Sequence, residues 1–279
     1  MSCILKLNQV YKNLTEVDKK IADYVLDNKE EVCKMTVSGL ANNCGGSTAS
    51  IVRFCRKLGY DGFSDFKIEL AKEKDNNESK SEYAYIDEKS SLDSIIESIS
   101  NKNANTIYKS VSLNNNKDIK DAVDYIQKAK KVYIYGIGGS SLVSQDLQMK
   151  LVRINKNTIT FTDSHMQLMS SNNVTEGDVA IGISYSGESK EVVESMKKSK
   201  CNKATCIGIT KFGESSLSSL CDINLYVSNV ENSLREGAIS SRIAMLTLVD
   251  IIYIALIQND IKENEAKLMA TRELVKVLK

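Results

Sequence analysis

Apolar residues change their spacing twice along these 279 residues. Through about residue 74 they recur every three or four positions in short blocks, the period of helices that bury one face. Thr15-Glu-Val-Asp18 has the form of a helix start, with Asp18 three positions on where Glu or Gln is usual. Val17, Ile21, Tyr24 and Val25 then fall on one helical face. Further helices are expected from Thr36, from Ser47 and over 63–73, where Phe63, Phe66 and Leu70 keep helical spacing. From Lys74 to Ser91 the texture turns polar. Too few apolar residues are available there to offset the entropy of ordering, which predicts a linker. Helical periodicity returns with Leu92, Ile95, Ile96 and Ile99, and again through Ile119, Val123 and Ile126. Beyond Lys130, short apolar runs alternate with helix-length segments: Val132 to Tyr135, Thr158 to Phe161, Val179 to Ser184, Thr205 to Ile209 and Ile223 to Val227. That alternation predicts a five-stranded parallel sheet flanked by helices. The expected fold class is α + α/β, an all-helical N-terminal domain followed by an α/β domain.

Composition narrows the classes. A net charge of +1 argues against a protein coated in basic residues, while leaving room for a local basic face. The start, Met1 to Val10, has no apolar core long enough for a secretory signal. Ile243 to Ile257 is apolar but interrupted by Thr247, Asp250 and Tyr253. It is also shorter than the roughly 20 residues that span a bilayer, so a buried helix is expected and no membrane partner. The seven cysteines include no Cys-x-x-Cys pair, and His165 is the one histidine. Neither a disulfide framework nor a metal site is expected; reduced thiols in a cytoplasmic protein fit better. Proline is absent, so glycine, asparagine and serine mark the turns.

The most pointed chemistry lies where two of the apolar runs end. Asp178-Val-Ala-Ile-Gly-Ile runs into Ser184-Tyr-Ser186-Gly187-Glu-Ser189, and a helix-like segment follows from Glu188. Open α/β sheets bind ligands at the carboxyl ends of their strands. Ser184, Ser186 and Ser189 can hydrogen-bond an anion there, and the helix N-terminus adds amide donors and a positive dipole end. Val132-Tyr-Ile-Tyr-Gly136-Ile-Gly138-Gly139-Ser140-Ser141 is a second strand-to-glycine-turn, followed by a helix over Leu142 to Val152. A dinucleotide site is disfavoured, because Ser141 stands where the third glycine belongs and Asp163 is the nearest acidic residue to the ribose position. No Gly-Lys-Ser/Thr follows the turn, which excludes a Walker-type loop. Taken alone, each serine could simply cap a helix or turn.

In the N-terminal part, Thr36 can cap a short helix with Val37, Leu40 and Ala41 on its apolar side. Cys44-Gly-Gly46 makes a tight turn, Ser47 caps the next helix, and Gly59 ends it. On that helix Ile51, Phe54, Cys55 and Leu58 share one face, and Ala49, Ser50, Arg53, Arg56 and Lys57 lie opposite. This is the layout of a helix-turn-helix. Arg53 could reach a guanine edge or a phosphate, Ser47 and Thr48 a phosphate or base, and Arg56 and Lys57 the backbone. Pattern alone also allows a helical docking domain with a solvated basic face. Bulk charge does not decide, since residues 1–74 hold 12 Lys+Arg against 10 Asp+Glu.

The run Ser47-Thr-Ala-Ser-Ile-Val-Arg-Phe-Cys-Arg-Lys-Leu-Gly-Tyr60, with Gly62-Phe63 and Phe66-Lys67, closely resembles the N-terminal domain of the RpiR family of bacterial transcriptional regulators. Ser50 stands where that family usually has Thr, and Gly46 where it has a small aliphatic residue. Gly138-Gly139-Ser140 with Ser184, Ser186 and Ser189 resembles the sugar isomerase (SIS) domain; Ser189 replaces a common Thr. The resemblance implies a DNA-binding domain over 1–75, a linker and connecting helix over 76–120, an SIS domain over 121–262 and a helical tail over 263–279. The implied DNA contacts are Thr36, Ser47, Thr48, Ser50, Arg53, Arg56 and Lys57. The implied effector contacts are Gly138, Ser140, Ser184, Ser186, Ser189 and Glu236, the last because related isomerases use a glutamate near there for acid–base work.

Regulator and enzyme differ in what they demand. Aldose–ketose isomerisation needs a base to move a proton between adjacent carbons and usually an acid to open the ring. Only His165 and Glu236 are evident candidates, and neither sits in a motif that specifies such a role. A regulator that binds double-stranded DNA as a homodimer or higher oligomer, senses a sugar phosphate and needs no cofactor accounts for the whole chain. A phosphosugar isomerase with a helical appendage is the alternative.

Overall fold

The computed structural model describes residues 3–71, 91–228 and 238–278. The chain divides into two compact units, Met1–Lys102 with Phe212–Glu214, and Asn103–Lys211 with Ser215–Lys279. The expected linker from Lys74 and the Glu236 position both lie outside the described residues.

The first unit is helical: α1 (Cys3–Val10), α2 (Glu16–Asp27), α3 (Lys29–Lys34), α4 (Val37–Asn43), α5 (Thr48–Lys57) and α6 (Phe63–Ala71). The three expected caps form. Thr15 accepts from Asp18 N at 3.3 Å, Thr36 from Gly39 N at 3.1 Å and Ser47 from Ser50 N at 3.1 Å. The face read for α2 needs one correction. Ile21, Ala22 and Val25 are buried together with Asp18, whereas Val17 is 49% exposed. An acidic residue displaces a valine from the interior because Lys57 of α5 meets it there. Ile51, Phe54, Cys55 and Leu58 are wholly buried. Phe54, Tyr60 and Phe63 all pack on Phe66, the first two edge-on with ring centroids 6.2 and 5.5 Å away.

α7 (Leu92–Ser112) crosses the division between the units, and only Thr106 and Ser110 are buried along it. The second unit continues with α8 (Asn116–Lys128), β1 (Val132–Gly136), α9 (Gly139–Arg153), β2 (Thr158–Thr160) and α10 (Ser164–Ser171). Then come β3 (Val179–Ile183), α11 (Lys190–Cys201), β4 (Thr205–Lys211), α12 (Ser216–Leu220), β5 (Ile223–Val227), α13 (Ile239–Asn259) and α14 (Ile261–Lys276). Each strand lies on a predicted apolar run, within two residues at either end. All pair in parallel, in the order β2-β1-β3-β4-β5. The order reverses between β1 and β3, which makes the crevice beyond their carboxyl ends the favoured ligand position of such a sheet.

Both faces of the sheet are covered. Val132, Ile134, Ile181, Ile183, Ile207 and Ile209 pack with Val143, Leu147, Leu248 and Ile252 of α9 and α13. Tyr133, Tyr135, Ala180 and Cys206 pack with Val192, Met196 and Leu217 on the other side. α13 is long and apolar enough to cross a membrane by length and composition, yet Ala244, Leu248, Val249, Ile252 and Leu256 are buried in this core. All seven cysteines are free thiols. Burial pushes Cys55 and Cys206 up to about 12, so both are inert at neutral pH.

One helix is inside out. α10 buries Gln167, Ser170 and Ser171 and exposes Met166, Leu168 and Met169.

Candidate functional site

The two serine loops lie side by side because β1 and β3 pair in register, with Gly136 opposite Ile183. Beyond β1 the chain passes through Gly138, whose φ is +59°, and enters α9 at Gly139. Ser140 is buried in the first turn of α9; its carbonyl accepts from Ser144 Oγ at 3.1 Å. A side chain at Gly136 would meet Ser144 Oγ at 2.4 Å and the Ser140 carbonyl at 2.8 Å. Glycine there lets the α9 N-terminus sit directly over the strand end.

Beyond β3 the loop is tied down by its own backbone. Gly187 N donates to Ser184 O at 3.0 Å, Lys211 N to Tyr185 O at 3.0 Å and Leu217 N to Gly187 O at 2.9 Å. Ser184 is buried, and its Oγ lies 3.0 Å from Ser189 Oγ, the N-cap residue of α11. Ser186 Oγ accepts from Glu188 N at 3.2 Å. Gly187 has φ +73°, and a Cβ there would lie 2.2 Å from Ser215 Oγ. The helix begins at Lys190, two residues later than expected, with Ser189 as its N-cap in an extended conformation. Glu188 accepts from Ser216 N at 2.8 Å and Ser216 Oγ at 2.6 Å. Those bonds hold its carboxyl below the usual glutamate range.

Ser140 in the first turn of α9 and the Ser184–Ser189 hydroxyl pair at the start of α11 thus follow adjacent strand ends, where both helices direct the positive ends of their dipoles. That arrangement suits a phosphate. The structure brings Gly138, Ser140, Ser184, Ser186 and Ser189 to the two neighbouring loops. His165 is exposed near the start of α10. Asp163 is the N-cap of that helix, accepting from Met166 N at 2.8 Å, which explains its place after β2 without a ribose. Gln167 was not legible as a site residue. Its side chain is wholly buried and bonds both backbone groups of Gly136.

In the first unit, α5 presents Thr48, Ala49, Arg53 and Arg56 outward. The Ser47 and Ser50 hydroxyls lie 2.9 Å apart at its start, and Arg53 Nη2 approaches Ser50 Oγ at 3.5 Å. Gly59 ends the helix with φ +79°. Lys57 differs from the other basic residues of α5. Its ammonium donates to Asp18 Oδ2 at 2.6 Å, so it joins α5 to α2. Burial alone would raise the Asp18 carboxyl, but the hydrogen bonds from Lys57 and Thr15 outweigh it and hold it low. A second lysine packs near the end of the same helix. Lys6 is buried with its ammonium 4.2 Å from the centre of the Tyr60 ring, just past the α5 C-terminus.

Comparison with known proteins places both units. Residues 1–77 match the helix-turn-helix domain of the rpiR family, and residues 125–255 match the SIS domain. An uncharacterized HTH-type transcriptional regulator of Caldanaerobacter subterraneus is 37% identical over 274 residues, covering 96% of this chain and 97% of that one. A similarly described protein of Haemophilus influenzae is 33% identical over 259 residues, covering 91% and 90%. Among solved structures, the Vibrio vulnificus NanR protein complexed with ManNAc-6P is 28% identical and aligns with a TM-score of 0.64 over 100% of this chain and 99% of that one.

Proposed function

Because the chain belongs to the rpiR family of helix-turn-helix transcriptional regulators and carries an SIS domain, we propose that it reads a DNA operator through α5 and is governed by a sugar phosphate held between the β1 and β3 loops. The observation that carries the reading is the placement of the two serine loops. Ser140 and the Ser184–Ser189 hydroxyl pair stand at adjacent strand ends, at the point where strand order reverses, under two helix N-termini. Residues 1–75 act on DNA, 76–120 join the units, 121–262 receive the effector, and 263–279 form a helical tail. Thr36, Ser47, Thr48, Ser50, Arg53 and Arg56 carry the DNA contacts, Thr36 and Ser47 while also capping their helices, and Lys57 serves first as a brace to Asp18. Gly138, Ser140, Ser184, Ser186 and Ser189 carry the effector contacts, with Glu236 as a further sugar contact.

Regulation follows from linkage. A ligand that binds one arrangement of the subunits better shifts the population toward it and so changes the spacing of paired recognition helices. The protein acts as a cytoplasmic homodimer or higher oligomer, with α7 and α13 as interface candidates, and controls genes of sugar or amino-sugar metabolism. We favour a receptor over an isomerase. The helix-turn-helix domain that precedes the SIS domain supports that choice, and the Glu188 carboxylate of the second loop is engaged by Ser216 N and Oγ.

A thermal-shift screen of sugar phosphates tests the reading, beginning with ManNAc-6P because of the likeness to NanR. A true effector at 100 times its dissociation constant stabilises the protein by about 2.7 kcal/mol. Binding to promoter fragments should then change with the same compound. Turnover of the sugar phosphate by the protein would return the isomerase reading.

A further inference from the structure

We infer that Gln167 is the positioning residue of the effector cup: its side-chain amide stands in for a missing stretch of β2 and fixes the β1 loop that carries Ser140. This rests on the cup being the effector site.

β2 ends at Thr160, while β1 continues to Gly136, so the last part of β1 has no strand beside it on that edge. Gln167 fills the gap from α10. Its Oε1 accepts from Gly136 N at 3.0 Å, and its Nε2 donates to Gly136 O at 2.9 Å and to Phe161 O at 2.7 Å. One amide thus pairs with a residue as a neighbouring strand would, and ties the end of β2 to the end of β1. The side chain is wholly buried, so water cannot replace these bonds.

Gly136 passes the constraint on. Its other side is crowded by the Ser140 carbonyl and Ser144 Oγ, which a Cβ would meet at 2.8 and 2.4 Å. Ser140 N in turn donates to Ile137 O at 3.1 Å. A shift of the Gly136 peptide groups therefore moves the first turn of α9 and the Ser140 hydroxyl with it. The inverted burial of α10 fits this role: the helix keeps polar residues inside because Gln167 bonds to the sheet from there.

Only a group with both a donor and an acceptor makes this pairing. A leucine of similar size offers neither. A glutamate keeps the acceptor for Gly136 N but, when ionised, sets an oxygen against two carbonyls; protonation restores one donor. The test uses the full chain in wild-type, Gln167→Leu and Gln167→Glu forms, with inorganic phosphate and ManNAc-6P as probes.

Without any ligand, amide exchange across Gly136 to Ser141 should quicken at least tenfold in both variants at neutral pH, while exchange across Ile183 to Ser189 stays as in the wild type. With ligand, affinity should fall at least tenfold. In Gln167→Glu the ratio of its affinity to that of the wild type should recover as the pH is lowered, which simple destabilisation would not produce. Unchanged exchange at Gly136 to Ser141 would overturn the inference, whether or not any probe binds. So would wild-type affinity in both variants. If the wild type binds neither probe, the choice of ligand class fails, and the exchange result still decides the role of Gln167.

Discussion

The recognition face of α5 and the serine cup are built on opposite principles. α5 packs one side and leaves the other in water: Ile51, Phe54, Cys55 and Leu58 are fully buried, while Thr48, Arg53 and Arg56 are exposed. Apart from Ser47, which caps the helix, the residues that hold it are not the residues that would touch DNA. In the proposed cup they would coincide. Ser140 and Ser184 are buried, and Gly136 and Gly187 leave no room for one added carbon. A surface of the first kind can change its specificity without endangering the fold. The second kind would couple ligand binding to the integrity of the fold.

Stability measurements on neighbouring residues would break this contrast if it is wrong. Phe54→Ala should cost about 3–5 kcal/mol, the usual loss for emptying an aromatic core site. The change would be read from hydrogen exchange of Ile51 to Leu58 in the intact chain, and a loss below about 1 kcal/mol would contradict the packing described. Gly187→Ala should cost about 3 kcal/mol in the second unit, combining overpacking against Ser215 with a left-handed backbone. It should also weaken any sugar phosphate. A variant that keeps its stability but loses ligand would mean that the loop can open away from Ser215.

Replacing Ser184 and Ser186 together by alanine separates detection from action. The stabilisation of about 2.7 kcal/mol expected from an effector at 100 times its dissociation constant should vanish, while operator binding without ligand persists. Loss of both would show that the loop matters to the fold alone.

Much of this was legible from residue pattern. The five strands, the three N-caps and the packed face of α5 all follow from local rules, since a cap and its partner are three residues apart and a strand is one continuous run. Both serine loops were legible for the same reason: strand ends and glycine turns are written in consecutive residues. What escaped depends on contacts distant in sequence. Lys57 reads as one more base on a basic face, and only the fold brings Asp18 to it across 39 positions. Gln167 lies 31 residues from Gly136. A signal for it did exist: polar residues at 167, 170 and 171 share the helical spacing that normally marks a buried face. The exposed Val17 is the converse case, an apolar residue excluded because a paired carboxylate occupies the inward position.

Arg53→Ala should leave stability within about 0.5 kcal/mol, as for a surface substitution without special contacts. Operator affinity should fall by about 1–3 kcal/mol and discrimination between operator variants should relax, if Arg53 reads a base edge. A loss that is uniform across sequences, with a smaller salt slope, would move Arg53 to the phosphate backbone.

The smallest effect divides the basic residues of α5 most finely. Lys57 neighbours Arg56 in sequence, but its ammonium is engaged by a carboxylate that is 7% exposed. Lys57→Ala should cost only about 1 kcal/mol, because the lysine itself is 40% exposed and solvent screens the pair. The pH dependence has a definite sign. The Asp18 carboxyl is held low in the folded protein, so the pair contributes fully above the ordinary aspartate range and is lost as the pH falls through the folded value. Lys57→Ala should flatten that acid limb. If Lys57 is a brace alone, the salt slope of operator binding stays as in the wild type; a slope reduced by about 1 would show that it also meets a phosphate. The first outcome keeps the separation of holding and touching residues within α5, and the second shows one side chain doing both, as in the cup.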